Sequence, residues 1–328
     1  MKNGRRDGAL MKPKIFIDGQ AGTTGLEIES RLQNRGDIDL IPIPWDCRKE
    51  ENARKERINA ADVVFLCLPD DAARGAVPLV ENPHTRVIDA STAHRTAPGW
   101  VYGFPELTPD RRRELREARY ISNPGCHATG FLAIVTPLVS LGVLPADAVV
   151  SCYSLTGHSG GGTAMIAQYR AEDRPKSLKA PRIYGLGFGH KHIPEILAHS
   201  GLTVQPLFTP IVDDYYAGMA VNVLLHKSQL RSGLTSGHLR DVLGAYYQGE
   251  PFLTVTPFGA SDTLEIPGFI EANAHVGTNN LELLVHGDGE RTLITARFDN
   301  LGKGASGAAI QNMNILLGFP ETAGLESP

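Results

Sequence analysis

The chain has no apolar run approaching the roughly 20 residues a bilayer-crossing helix needs, so a membrane is not an expected partner. Its four cysteines, Cys47, Cys67, Cys126 and Cys152, form no CxxC pair. That spacing argues against a zinc site and against a disulfide framework, no metal is expected, and a reducing cytoplasm is the expected location. Basic residues are not in excess: the net charge is −4 over 328 residues, so nucleic acid is a poor default partner. No internal repeat or low-complexity segment occurs. The first ten residues lack the apolar centre of a signal peptide. Residues 1–11 read as a disordered extension, with Met11 an alternative start.

What is present is an α/β pattern. Lys14-Ile-Phe-Ile-Asp18 reads as a strand, followed by a glycine loop and a helical stretch Leu26–Leu32. Further strands are expected near Asp39–Ile43, over Ala61–Leu68 and over Arg86–Ala90. The uninterrupted apolar character of Ala61–Leu68 is that of a strand buried on both faces of a parallel sheet. Alternating strands and helices predict a doubly wound, Rossmann-type parallel sheet over roughly the first 120 residues. Beyond residue 126 the segments Val149–Ser154, Thr203–Phe208, Gly218–Leu225, Asn280–His286 and Arg291–Arg297 read as longer or alternating strands. They predict an α+β second domain with a mixed or antiparallel sheet and helices on one side. Gly304–Gly318 reads as one amphipathic helix rich in small residues.

The most informative stretch is Ser122-Asn-Pro-Gly-Cys-His-Ala-Thr-Gly130. Cys126 follows a Pro-Gly turn and precedes an apolar run that reads as a buried helix. A thiol at a helix start faces unpaired amides and the positive end of the helix dipole, which predicts a lowered pKa and a nucleophile. The same amides are suited to an oxyanion. The bland alternative is a buried structural cysteine.

Gly19-x-x-Gly22-x-x-Gly25 between strand and helix is a spaced variant of the dinucleotide fingerprint, with Thr23 and Thr24 as extra donors; a plain tight turn is the alternative. Arg48 and Lys49, after the second strand, suit a 2′-phosphate and so NADP(H), although Asp46 keeps NAD open. Leu68 and Pro69 at the carboxyl edge of the sheet either line the cofactor or cap the next helix. Ser91 and Arg95 end another strand at that edge, Arg95 being suited to a phosphate or to a surface ion pair. In His190-Lys-His192-Ile-Pro-Glu195, Glu195 lies at helix-turn spacing from His192 and is expected to hold its ring while the other nitrogen moves a proton. Thr156–Gly162, with Ser159 and Gly160, is a glycine-rich turn suited to an anion or to no ligand at all.

Taken together, Ile17–Gly25, Ile88–Arg95, Val101–Glu106, Ser122–Cys126, His190–Glu195 and Asp299–Asn312 resemble N-acetyl-gamma-glutamyl-phosphate reductases, in their shorter subgroup, within the aspartate-semialdehyde dehydrogenase-like superfamily. The resemblance implies a nucleotide domain of residues 12–125 and 300–328 and a catalytic and oligomerisation domain of residues 126–299. It implies NADPH-dependent reduction of N-acetyl-γ-glutamyl phosphate to the 5-semialdehyde and phosphate through a Cys126 thioester. His192 and Glu195 would serve the proton, Arg95, Asn123, Ser159, Gly160 and His190 the substrate, and Asn312 the nicotinamide amide. A small-molecule substrate and a homodimer or homotetramer are expected. Two departures stand out. The longer subgroup has an arginine where this chain has Asp213 and Asp214, and another where it has Gly162, so no cation for the substrate α-carboxylate is assigned. Rival readings are a related reductase of aspartyl or amino-adipyl phosphate, a cysteine hydrolase without a nucleotide, and a regulatory module that has lost turnover.

Overall fold

The computed structural model describes residues 11–231, 233–262 and 264–325. Residues 1–10, most of the expected N-terminal extension, lie outside the described residues; Met11 is exposed. Six strands form an all-parallel sheet: β1 (Lys14–Asp18), β2 (Asp39–Leu40), β3 (Val63–Leu66), β4 (Arg86–Asp89), β5 (Val101–Tyr102) and β6 (Tyr120–Ser122). Their order is β2-β1-β3-β4-β6-β5. The helices among them are α1 (Thr23–Leu32), α2 (Glu51–Ala60), α3 (Asp70–Ala76) and α4 (Arg111–Glu117). β3 is buried at every residue, as its unbroken apolar sequence requires of a central parallel strand.

Seven strands form a mixed second sheet: β7 (Ser151–Gly157), β8 (Arg182–Ile183), β9 (Leu207–Asp213), β10 (Met219–His226), β11 (Leu253–Val255), β12 (Leu281–Gly287) and β13 (Arg291–Phe298), in the order β11-β12-β13-β10-β7-β9-β8. α5 (Cys126–Ser140), α6 (Gly162–Arg170), α7 (Ile193–Ser200), α8 (Ser236–Tyr246) and α9 (Gly307–Leu317) complete the elements named here. α5 and α8 cover one face of this sheet, sharing a core with Val221, Val223, Leu283 and Ala296. On the opposite face Leu207 and Leu224 are exposed and Tyr153, Leu155 and Ile211 are half-buried.

Both sheets form as the sequence pattern predicts, but β2 and β3 are shorter than expected, and β5, β6, β8 and β11 have no expected counterpart. β7 and β9 begin two and four residues later than expected. β9 runs through Pro210, tolerated next to the two-residue edge strand β8. The C-terminal helix is not amphipathic: residues 307–316 are all buried, and the turn before it, Gly302–Ser306, is a π-helix. α9 has no solvent face because Ala309, Ile310 and Met313 pack into the core of the parallel sheet beside Ile17 and Phe65.

Candidate active site

β6 ends at Ser122, and the Asn-Pro-Gly turn carries the chain straight into α5, with Gly125 as N-cap and Cys126 as first helical residue. Cys126 lines a cavity of about 520 Å³ where the carboxyl edge of the parallel sheet meets the second sheet. The cavity collects Thr23, Thr24, Arg95, Asn123, Ser159, Gly160, His190 and His192 from the sequence-derived candidates. The expected fall in the Cys126 pKa is not found. Burial pushes the thiol above its ordinary value, while Lys191, Arg95 and the His127 amide pull against that rise. The helix-start amide does face the sulfur, but desolvation outweighs it.

Glu195 also departs from expectation. Its carboxylate is 3.9 Å from His192 Nε2, too far for a hydrogen bond. It accepts instead from Arg95 Nη1 at 2.7 Å, from the Tyr102 hydroxyl at 2.9 Å and from the Gly125 amide at 3.1 Å. A buried carboxylate gains more from a guanidinium than from a neutral imidazole, and burial, followed by Arg95 and the neighbouring histidines, holds His192 well below the usual histidine range. His192 Nδ1 is buried without a partner among the described residues. The His192 amide donates to His190 Nδ1 at 3.2 Å, and burial lowers His190 to about 4, so both rings are neutral near pH 7.

Gly125 explains the tightness of this cluster. A Cβ there would lie 2.3 Å from Arg95 Nη1, 2.5 Å from Glu195 Oε1 and 2.6 Å from His192 Nε2. Arg95 is held further by Nε donating to Asn123 O and Nη2 to Ala90 O, at 2.9 and 3.3 Å. From the far side, His199 Nε2 donates to Arg95 O at 2.9 Å and its ring stacks on Tyr102 at 3.8 Å. His127, next to the nucleophile, is hydrogen-bonded to Ser154 Oγ at 2.7 Å and to the Tyr184 hydroxyl at 2.8 Å.

The glycine loop fits a dinucleotide. A Cβ at Gly19, whose φ is +99°, would lie 2.3 Å from Cys67 O, and one at Gly25 would lie 2.5 Å from Gly19 O. Gly22 caps α1, and Thr23 Oγ1 is buried there with no partner among the described residues. Gly22, Thr23, Thr24, Cys67 and Leu68 line a second cleft of about 250 Å³, which shares Thr23, Thr24, Ala90 and Gly162 with the larger cavity. Pro69 caps α3, and Ser91 is buried with its hydroxyl donating to Asp89. Arg48 stacks over the exposed Trp45 ring at 3.5 Å and also donates to the Trp45 carbonyl; Lys49 is exposed.

Asn312 does not line either cleft. It is fully buried behind Asn123, its Nδ2 donating to Gly103 O at 2.8 Å and Asn123 Oδ1 at 3.2 Å, because α9 is enclosed on all sides. Ser159 Oγ accepts from Asn300 Nδ2 at 2.9 Å. Tyr102, Gly125, Lys191, Arg182 and Tyr184 have no role in the sequence reading. Of these, Gly125, in the Pro-Gly turn before Cys126, and Lys191, between the two histidines, carried a positional signal.

The comparisons agree with this layout. A model described as "Semialdehyde dehydrogenase, NAD binding domain" matches residues 46–115, and one described as "Semialdehyde dehydrogenase, dimerisation domain" matches residues 126–300. N-acetyl-gamma-glutamyl-phosphate reductase 2 of Nostoc sp. is 48% identical over 322 residues, covering 96% of this chain and 100% of its own. The protein of that name from Pseudomonas putida is 44% identical over 319 residues, with 95% and 99% coverage. Aspartate semialdehyde dehydrogenase II of Vibrio cholerae shares the fold, with a TM-score of 0.70 at 14% identity over 94% of this chain and 98% of that one. A described parallel sheet with a phosphate-suited glycine loop, a helix-start cysteine and relatives matched end to end identify the chain as a member of the semialdehyde dehydrogenase family, in its N-acetyl-gamma-glutamyl-phosphate reductase branch.

Proposed function

We propose that the protein reduces N-acetyl-γ-glutamyl phosphate to N-acetylglutamate 5-semialdehyde and phosphate, with NADPH as cofactor. The observation that carries the choice of substrate is the charge of the cavity. Arg95, Arg182 and Lys191 line it and, among the described residues, no aspartate or glutamate does. A cavity of this kind favours a substrate with two anionic groups and a masked amine. An aspartyl phosphate, with its free α-ammonium, would find no carboxylate to pair with, since Glu195 is taken up by Arg95, Tyr102 and Gly125.

In the reductive direction the Cys126 sulfur attacks the acyl carbon. A C–S bond forms, the C–O bond to phosphate breaks, and Arg95 steadies the departing phosphate. The His127 amide and its neighbours at the start of α5 hold the oxyanion. A nicotinamide nucleotide held by the glycine loop would supply hydride to the same carbon. His192, neutral and close to Gly125, takes the Cys126 thiol proton as the C–S bond forms, the departing phosphate taking its own proton from solvent; once hydride has reached the carbon the tetrahedral oxyanion collapses, the C–S bond breaks, and the imidazolium returns the proton to the Cys126 sulfur as the aldehyde leaves. His192 is preferred to His190 because its ring lies against the N-cap of α5. Glu195 acts through Arg95 and the Gly125 amide rather than through His192.

Gly19, Gly22, Thr23, Thr24, Gly25 and Leu68 would hold the dinucleotide. The exposed Trp45–Arg48 stack, with Lys49 beside it, supports a 2′-phosphate and hence NADP(H). Residues 12–125 and 300–328 would act as the nucleotide unit and 126–299 as the catalytic unit. The half-open face of the second sheet, with Leu207 and Leu224, is proposed to bind a second copy of the chain, as a homodimer or as half of a homotetramer.

The test is NADP⁺ reduction with N-acetylglutamate semialdehyde, with and without inorganic phosphate, beside aspartate semialdehyde. Phosphate-dependent turnover of the acetylated substrate is expected. Turnover of aspartate semialdehyde alone would overturn the substrate and leave the chemistry standing.

A further inference from the structure

We infer that Arg182 binds the α-carboxylate of the substrate and so sets the enzyme's specificity for an N-acylated amino acid over a simple N-acylated aminoaldehyde. The inference rests on the reading of the cavity as an acyl-phosphate reductase site. Arg182 begins β8, the two-residue edge strand paired with β9 through Arg182 and Val212. It lines the same cavity as Cys126. The other two cations there have different surroundings. Arg95 is committed to Glu195 and to two carbonyls beside the nucleophile, where the phosphate must leave. Lys191 is exposed on the His190–His192 turn and works on the Cys126 thiol.

Arg182 is fixed at one end only. Nη2 donates to the Tyr169 hydroxyl at 2.8 Å, and the guanidinium lies 5.3 Å from the Tyr169 ring centroid. Tyr169 is itself buried and stacked on His158 at 4.3 Å. The arginine therefore has an ordered base. Its Nε is buried and has no partner among the described residues, and no aspartate or glutamate of the described residues is paired with it. Nearby Asp214 is occupied by Arg174, at 2.6 Å. A guanidinium with one nitrogen anchored, lining a cavity that holds cations and no carboxylate of the described residues, matches a carboxylate, which accepts two parallel hydrogen bonds.

The experiment compares two substrates that differ only in the carboxylate, N-acetylglutamate semialdehyde and 4-acetamidobutanal, in the wild type, Arg182→Met and Arg182→Lys. The wild type is expected to prefer the carboxylated aldehyde in kcat/KM. Arg182→Met should lose about 10- to 100-fold on that substrate, mostly in KM, and keep its rate on 4-acetamidobutanal, since a charged hydrogen bond is worth about that factor. Arg182→Lys should recover part of the preference. Equal losses on both substrates, or an unchanged preference, would overturn the inference. If Arg182→Met does not fold, Arg182→Lys decides, and a selectivity equal to wild type counts against the assignment. A wild type that turns over neither aldehyde removes the reading of function and this inference with it, a result distinct from a wild type that is active and variants that stay selective.

Discussion

Glu195 Oε1 accepts a 2.7 Å hydrogen bond from Arg95 Nη1, with both side chains buried against the turn that presents Cys126. The pair joins α7 to the loop after β4, so the second sheet's domain and the parallel sheet meet at the nucleophile. Tyr102 and the Gly125 amide complete the carboxylate's partners. Arg95 and the start of α5 are thus held by one acid.

Tyr102→Phe removes the hydroxyl that donates to Glu195. About a tenfold loss in kcat/KM is expected, the scale of one buried hydrogen bond to a charged group. The loss should fall on the phosphate-dependent step, as a raised KM for inorganic phosphate in the oxidative direction. A change in kcat with an unaltered phosphate KM would contradict the role given to Glu195.

Gly125→Ala brings a Cβ into contact with Arg95, Glu195 and His192 at once. Displacing these groups by an ångström predicts a fall of about 100-fold in kcat, with nucleotide binding retained. Steady-state kinetics beside nucleotide titration by fluorescence measures both. Activity near wild type would mean that the cluster is looser than its contacts imply.

Because burial raises the Cys126 thiol and Lys191 lowers it, acyl transfer should gain with pH through a limb set by Cys126. Lys191→Met removes a cation from the thiolate, so that limb should move to higher pH. A limb unmoved, or moved down, in the kcat/KM profile would contradict the electrostatic role of Lys191.

His127, His190, His192 and His199 are all lowered by burial first. Below their ordinary value near 6.5 the unfolded chain binds protons that the folded one does not, so folding stability rises with pH in that window and falls on acidification. For His190 the window runs from 6.5 down to about 4. Thermal melts from pH 7.5 toward 5 should show a midpoint falling by roughly several degrees; a flat midpoint would mean that these rings are hydrated.

Lys303 is buried with Nζ 2.8 Å from Glu106 Oε1 and 2.6 Å from Gln311 Oε1, tying the π-turn before α9 to the loop after β5. Lys303→Met leaves Glu106 buried with the Gln311 amide but no cation in contact, which predicts a loss of about 3–5 kcal/mol in denaturant unfolding. The double variant Lys303→Met, Glu106→Gln should recover much of it. A loss under about 1 kcal/mol in the single variant would contradict a dry ion pair.

Much of the fold was legible because burial and periodicity are local. Lys14–Asp18 is a strand at its expected bounds, and the Pro-Gly turn marks the start of α5 at Cys126. The enclosure of α9 was not legible, since its small residues do not disclose which surfaces they meet. The site is split in the same way. The glycine loop and Cys126 announce themselves by spacing. For Glu195 the three-residue spacing proposes a local partner, His192, while the tertiary contact with Arg95, 100 residues away in sequence, provides a stronger one. Tyr102 and Arg182 gave no local signal, and their positions depend on how β5 and β8 are laid into the two sheets.

The central claim is acyl transfer through Cys126, and the direct measurement is the mass of the Cys126 peptide after acid quench. The enzyme is incubated with N-acetylglutamate semialdehyde and NADP⁺ in the absence of phosphate. The account predicts an N-acetylglutamyl thioester on Cys126, discharged when phosphate is added and absent in Cys126→Ser. Turnover that continues with Cys126 unmodified, or in Cys126→Ser, would contradict it.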